Sequence, residues 1–245
     1  MRVNLTGMRG LRKALWSAGV FVWVASLSVR AQSSEPGDDA TTRVQIVNGT
    51  SVESIALSLN GEKLYPDFPQ GLFTNDGSIK SLKVKFEAEN KATSVVAESK
   101  EIEFQPNAIQ SLVLLGDFDV NVPPGTLRQP GPPPPPPEKP YPPNVLFRVY
   151  PHEKEDLPSA VRLRVINGMP GKSLTFTGPN GKVTLLPGEE HSLKGQKPVT
   201  EYVAEIEESS IPILMRQESA FRNAMLIFFL KPDGSPHFKR IFENY

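Results

Sequence analysis

The chain has 245 residues, enough for one large domain or two modules of about 100 to 120 residues each, and at 38% hydrophobic and 22% charged residues it is not disordered as a whole. Lys plus Arg (27) balance Asp plus Glu (27), so no global basic surface exists to hold nucleic acid by its phosphates. The absence of cysteine excludes a disulfide framework, a thiolate zinc site, a cysteine nucleophile and an acylation lipobox.

Residues 1–31 carry the three parts of a secretory signal peptide. Arg2, Arg9, Arg12 and Lys13 form a basic start, Ala14 to Leu27 an apolar stretch, and Val29-Arg30-Ala31 a small-residue exit before Gln32. The apolar run of about 14 residues falls short of the roughly 20 that span a bilayer, so cleavage is expected rather than an uncleaved anchor. No later segment is long enough to span, and Ala224 to Leu230 is strand-like in composition. The expected mature chain is exported, periplasmic or extracellular, and mildly acidic. Residues 32–42 read as a polar, disordered lead-in.

An internal repeat follows. Arg43-Val-Gln-Ile-Val-Asn-Gly49 recurs as Arg162-Leu-Arg-Val-Ile-Asn-Gly168, matched in residue class at every position. Downstream in each copy an apolar alternation runs into Asn-Gly: Ile55, Leu57 and Leu59 before Asn60-Gly61, and Leu174 and Phe176 before Asn180-Gly181. Asn-Gly takes positive φ at both central positions of a type I′ turn, so a two-residue hairpin is expected in both copies. It sets Leu57 opposite Leu64 and Phe176 opposite Leu185. Leu82, Val84, Phe86 and Ala88 alternate with charged residues as one half-buried strand, and Tyr202, Ala204 and Ile206 do the same. Further strands are expected at Val95 to Ala97, Ile102 to Phe104, Leu112 to Leu115, Ile213 to Met215 and Met225 to Leu230. About seven short strands per copy, and no helical stripe, point to an all-β chain of two tandem immunoglobulin-like antiparallel β-sandwich modules.

Pro123 to Pro143 holds twelve of the 25 prolines, with six in a row from Pro132 to Pro137, and reads as extended polyproline II. The second copy ends with Leu226 to Leu230, a tight Pro232-Asp233-Gly234-Ser235 turn, then His237 to Phe242. The matching pieces of the first copy, Leu112 to Phe118 and Val145 to Tyr150, lie on either side of the prolines. The prolines (123–143) are therefore read as an insertion into the last hairpin of a first module, 43–154. The second module is 158–245, and a plain inter-domain linker is the alternative.

Arg-Val-x-Ile-Val-Asn-Gly, then an alternating strand, an Asn-Gly hairpin and a strand ending Leu112-Val-Leu-Leu-Gly116, resembles a family of exported bacterial β-sandwich repeats, the DUF4397 domain. The resemblance runs from Arg43 to Gly116 and from Arg162 to Leu230. It implies fold and compartment and carries no chemistry, since that family has no assigned function.

Chemistry is sparse. His152, His191 and His237 stand alone, none at the helical i, i+4 or the His-x-His spacing of metal sites, and read as surface or turn residues. No Gly-x-Ser-x-Gly elbow exists, and Gly171-Lys172-Ser173 lacks the upstream glycine of a P-loop. Asp117, Asp119 and Asn121 alternate as calcium ligands can, without the glycine and glutamate of an EF-hand loop. Glu205, Glu207 and Glu208 read as a strand's solvent face. Tyr65, Phe68 and Phe73 cluster with Pro66 and Pro69 and form a candidate stacking platform, with Tyr141 within the proline stretch.

The expectation is an exported, non-enzymatic structural, adhesive or binding component of the cell envelope or extracellular space. It has no catalytic residue, metal or cofactor, and its partner is an envelope or extracellular protein or glycan. A carbohydrate-binding protein using Tyr65, Phe68 and Phe73 is the alternative, and a hydrolase of unrecognised type a third.

Overall fold

The computed structural model describes residues 41–74, 77–121, 139–152, 161–196, 199–207, 209–216 and 223–243. The expected signal (1–31), nearly all of the lead-in, most of the proline-rich insertion and the residues between the two expected modules (155–157) lie outside them. The described residues are all-β, and among them no helix is long and apolar enough to cross a membrane.

The first half of the chain contributes β1 (Thr42–Thr50), β2 (Ser54–Leu59), β3 (Glu62–Pro69), β4 (Gly77–Ile79), β5 (Lys83–Val84), β6 (Phe86–Asn90), β7 (Val96–Glu98), β8 (Ile102–Glu103), β9 (Ile109–Asp117) and β10 (Asn144–Pro151). The second contributes β11 (Val161–Asn167), β12 (Leu174–Gly178), β13 (Gly181–Leu185), β14 (Glu190–Gln196), β15 (Val199–Ile206), β16 (Ser209–Arg216), β17 (Ala224–Leu230) and β18 (Pro236–Phe242). In the first half the sheets run β10-β9-β1-β4 and β3-β2-β6-β7, with a small β5-β8 pair. In the second they run β18-β17-β11-β14 and β13-β12-β15-β16, the same order strand for strand. The last hairpins correspond too. β9 pairs antiparallel with β10, Asp117 opposite Asn144, as β17 pairs with β18.

Pairing is not antiparallel throughout. β1 runs parallel to β9 and β11 parallel to β17. The chain leaves the first strand for the other sheet and returns beside it, and such a crossover brings the strand back in the same direction. The first Asn-Gly hairpin forms as read, with Leu59 opposite Glu62 and positive φ at Asn60 (49°) and Gly61 (80°). Leu57, however, faces Tyr65 rather than Leu64, because β3 carries irregularities that accommodate Pro66 on this edge strand. In the second hairpin Gly178 pairs with Gly181, so the turn residues are Pro179 and Asn180 and Phe176 faces Val183 rather than Leu185. The alternation from Leu82 to Ala88 is likewise two strands. The Lys85 N–H donates to Asn60 Oδ1 (2.8 Å) and its C=O accepts from the Asn60 N–H (2.8 Å), which breaks the ladder there.

Three apolar clusters explain the layering. Ile55, Leu57, Phe86 and Phe104 pack with Leu112 and Leu114 between the two sheets of the first half. Leu174, Phe176, Tyr202 and Ala204 pack with Leu226 and Phe228 in the second. The third cluster joins the halves: Val47, Val113, Leu115 and Tyr150 meet Ile166, Met225, Ile227, Phe229 and Ile241. The sheets therefore stack in four layers, with β10-β9-β1-β4 and β18-β17-β11-β14 face to face in the middle. That is why Leu112 to Leu115 and Ala224 to Leu230 are continuous apolar runs: these strands are buried on both faces.

Candidate functional site

The repeated Asn-Gly at the end of the first strand of each copy is an internal staple. Asn48 is fully buried; its Nδ2 donates to the Phe68 carbonyl of β3 (2.8 Å), and its Oδ1 accepts from the Thr50 N–H (3.1 Å) and hydroxyl (2.7 Å). Asn167 repeats this. Its Nδ2 donates to the Leu185 carbonyl of β13 (3.0 Å) and to Lys172 O (2.9 Å), and its Oδ1 accepts from the Met169 N–H (3.1 Å). Each asparagine thus ties an inner sheet to the edge strand of the outer one. The following glycine permits close approach. A Cβ on Gly168 would lie 2.9 Å from Phe228 O and 2.6 Å from Leu115 of the other half, and one on Gly49 would lie 3.0 Å from Leu114 O and 3.2 Å from Ile227.

The aromatic candidates are divided between core and surface. Tyr65 and Phe68 stack with ring centroids 5.3 Å apart, but Phe68 is buried and Tyr65 half-buried, its hydroxyl bonded to Thr74 and its pKa raised by burial. Phe73 stands apart. It is 41% exposed beside Leu72 (40%), pairs through its backbone with Val47, and has the Lys239 ammonium 5.6 Å from its ring centre. Tyr141 is exposed, and its N–H donates to Val120 O (2.7 Å) just beyond the β9–β10 pair.

The polar candidates serve local structure. His152 Nε2 lies 2.7 Å from Ser111 Oγ, and that hydroxyl donates to Gln45 Oε1 at 3.3 Å. Ser111 is fully buried, so it is not presented to a substrate. His237 sits edge-on to Phe229 (5.5 Å), its pKa lowered by partial burial and by Lys231 and Lys239. His191 is exposed and borders a cavity of about 70 Å³ with Phe176, Lys182 and Tyr202, far below the roughly 300 Å³ of a small-molecule pocket. Asp117 and Asp119 accept the N–H groups two residues ahead, from Asp119 (3.2 Å) and Asn121 (2.9 Å), which makes the alternation a run of Asx turns. Among the described residues no group of three His, Asp or Glu could hold a metal ion. Lys172 pairs with Glu207 and Lys182 with Glu205, both at 3.0 Å on the surface; Glu208 lies outside the described residues.

Sequence reasoning missed the polar end of the contact between the halves. Arg164, 5% exposed, lies with its guanidinium carbon 5.0 Å from the Tyr150 ring centre, and its Nη2 donates to Pro151 O at 3.4 Å. Tyr150 also bonds Glu190, and burial, with that carboxylate, raises its pKa. Gln70 Nε2 reaches across to Leu230 O at 2.7 Å. The available signal was an arginine at the third position of the second copy's motif, in a strand that is buried from Arg162 to Asn167.

No family model matches the chain and no curated protein matches it, so the DUF4397 likeness stays a resemblance in motif. Among solved structures the chain is similar, at 8% identity and a TM-score of 0.21, to one described as a putative cell adhesion protein from Bacteroides eggerthii; the match covers 87% of this chain and 98% of that one.

Proposed function

We propose that this is an exported, non-enzymatic protein of two β-sandwich modules, 43–154 with the proline-rich insertion 123–143 and 158–245, acting as a structural, adhesive or binding component of the cell envelope or extracellular space. One observation carries the reading. Each half closes its own apolar core with the same strand order, and among the described residues the buried asparagines of the repeated motif hold strands together. The signal-like residues 1–31 supply the compartment. The test is N-terminal sequencing of the exported chain, expected to start at Gln32, with turnover assays on envelope polysaccharide, peptide and ester substrates. Turnover abolished by substituting one carboxylate or histidine would overturn the reading.

Glycan binding is the second reading, favoured by the exposed Leu72–Phe73 pair. Binding on a glycan array that is lost in Phe73→Ala supports it; absence of binding, or binding indifferent to Phe73→Ala, removes it.

A further inference from the structure

The two faces that meet in the middle of the molecule are built from equivalent positions. Val47 and Ile166 hold the same place in the repeated motif. Through the shared registers of β1 with β9 and β11 with β17, Val113 corresponds to Ile227 and Leu115 to Phe229. The hairpin registers add Tyr150 and Ile241. All of these belong to the cluster that joins the halves.

Matching segments of the two halves also each meet the last hairpin of the other half, β9-β10 or β17-β18, at positions offset along its strands. Gly49 lies against Ile227 and Gly168 against Leu115. Gly71 and Gly188, which donate to the carbonyls of Asn48 and Asn167, lie against Phe229 and Leu146. Phe73, opposite Val47, meets Lys239 of β18; Glu190, opposite Ile166, meets Tyr150 of β10. An exchange of this kind, in which equivalent segments each meet the other half's last hairpin, is the pattern of an approximately twofold contact between like surfaces.

We infer that the face carried by β10-β9-β1-β4 and by β18-β17-β11-β14 is a like-with-like docking surface. The partner it fits is a second module of the same strand order, and the two halves of this chain occupy each other's surface without needing the covalent connection. The inference rests on the two-module reading above. Its chemistry is apolar burial at the centre, where Val113, Leu115, Ile166 and Ile227 are almost fully excluded from water, with glycines that let the backbones close in. At one end a polar group, Arg164 with Tyr150 and Glu190, fixes the register of one sheet on the other.

The test places a protease site within residues 153–160, folds the full chain, cuts it and applies it to gel filtration at low micromolar concentration. Both fragments are expected in one species. Leu115→Arg and, independently, Ile227→Arg place a charge on the shared face while leaving each half's own core intact, and should weaken association by about a hundredfold or more. Separation of the uncharged, cut chain into two fragments that each keep a β-sheet circular dichroism spectrum overturns the docking surface and leaves the modules standing. Separation with loss of that spectrum overturns both readings. Co-elution unaffected by either arginine also overturns the docking surface, because some other contact would then hold the fragments.

Discussion

The two halves share their sheets and differ at the end where each first strand begins. In the second half Arg162, 2% exposed, pairs with the fully buried Glu243 carboxylate, and its N–H donates to Asn223 Oδ1 at 2.9 Å. Glu243 returns its own N–H to Asn223 O at 2.8 Å. In the first half the matching Arg43 is exposed, and the place of Glu243 belongs to His152, whose N–H donates to Ile109 O at 2.9 Å and whose ring meets Ser111. The asparagine and glycine that hold sheet to sheet are the same in both copies, whereas the strand ends diverge. What the fold requires is therefore the cross-sheet staple and the close approach. The ion pair is a local solution to a buried arginine.

The sharpest way to break this comparison is at that ion pair. Glu243→Ala strands a buried guanidinium and should cost about 3–5 kcal/mol, whereas Arg43→Ala at the matching surface position should fall within about 0.5 kcal/mol, both read from urea unfolding midpoints. Comparable losses would mean that burial does not separate the two sites. Next come the staples. Asn48→Ala and Asn167→Ala each leave buried backbone groups unpaired, and each should cost about 2–3 kcal/mol by the same measurement; one large and one negligible value would show the copies to be unequal.

Gly168→Ala drives a methyl into Phe228 O and Leu115 and should cost about 1–3 kcal/mol, more than Gly49→Ala, whose contacts are looser. The reverse order would mean that the second copy yields more easily. The smallest effect is on pH dependence. The buried Tyr150 has a pKa raised above its ordinary 10.0, so the folded state favours its neutral form. That stability is complete below pH 10 and is lost as pH rises towards the folded-state value, at about 1.4 kcal/mol per pH unit for one group. Tyr150→Phe should flatten the alkaline limb of a stability–pH curve; an unchanged limb would locate the effect in other groups, such as Tyr65 and Tyr202, whose pKa values burial also raises.

Much of each half was legible because local chemistry dictates it. The Asn60-Gly61 turn, the alternation at Tyr202, Ala204 and Ile206, and the flanks of the last hairpins are written in residues that act on their neighbours. The register slips were not legible, since the bulges around Pro66 and the shift of the second turn to Pro179-Asn180 depend on how an edge strand lies on its partner. The layering of the two halves was half-written. Leu112 to Leu115 and Ala224 to Leu230 lack the alternation of a strand with one wet face, which is the sign of burial on both sides. Gln45, Ser111 and Arg164 on the same face masked it, because a polar side chain on a strand reads as solvent-facing until its partner, within the sheet for Gln45 and Ser111 and across the interface for Arg164, is known. Of the candidate platform, the sequence showed the aromatic types but not their fates. Phe68 entered the core because it ends a strand over the Asn48 staple, and Phe73 stayed outside on the loop beyond it.

The face-to-face packing of the two inner sheets is the central claim of this arrangement, and a chain without cysteine makes it directly measurable. With cysteines introduced by Phe73→Cys and Lys239→Cys, one from each half at positions that touch across the interface, a short bismaleimide should join them within a single chain in near-quantitative yield. Absence of an intramolecular cross-link in the folded double variant, or cross-links only between separate chains, would contradict the four-layer arrangement.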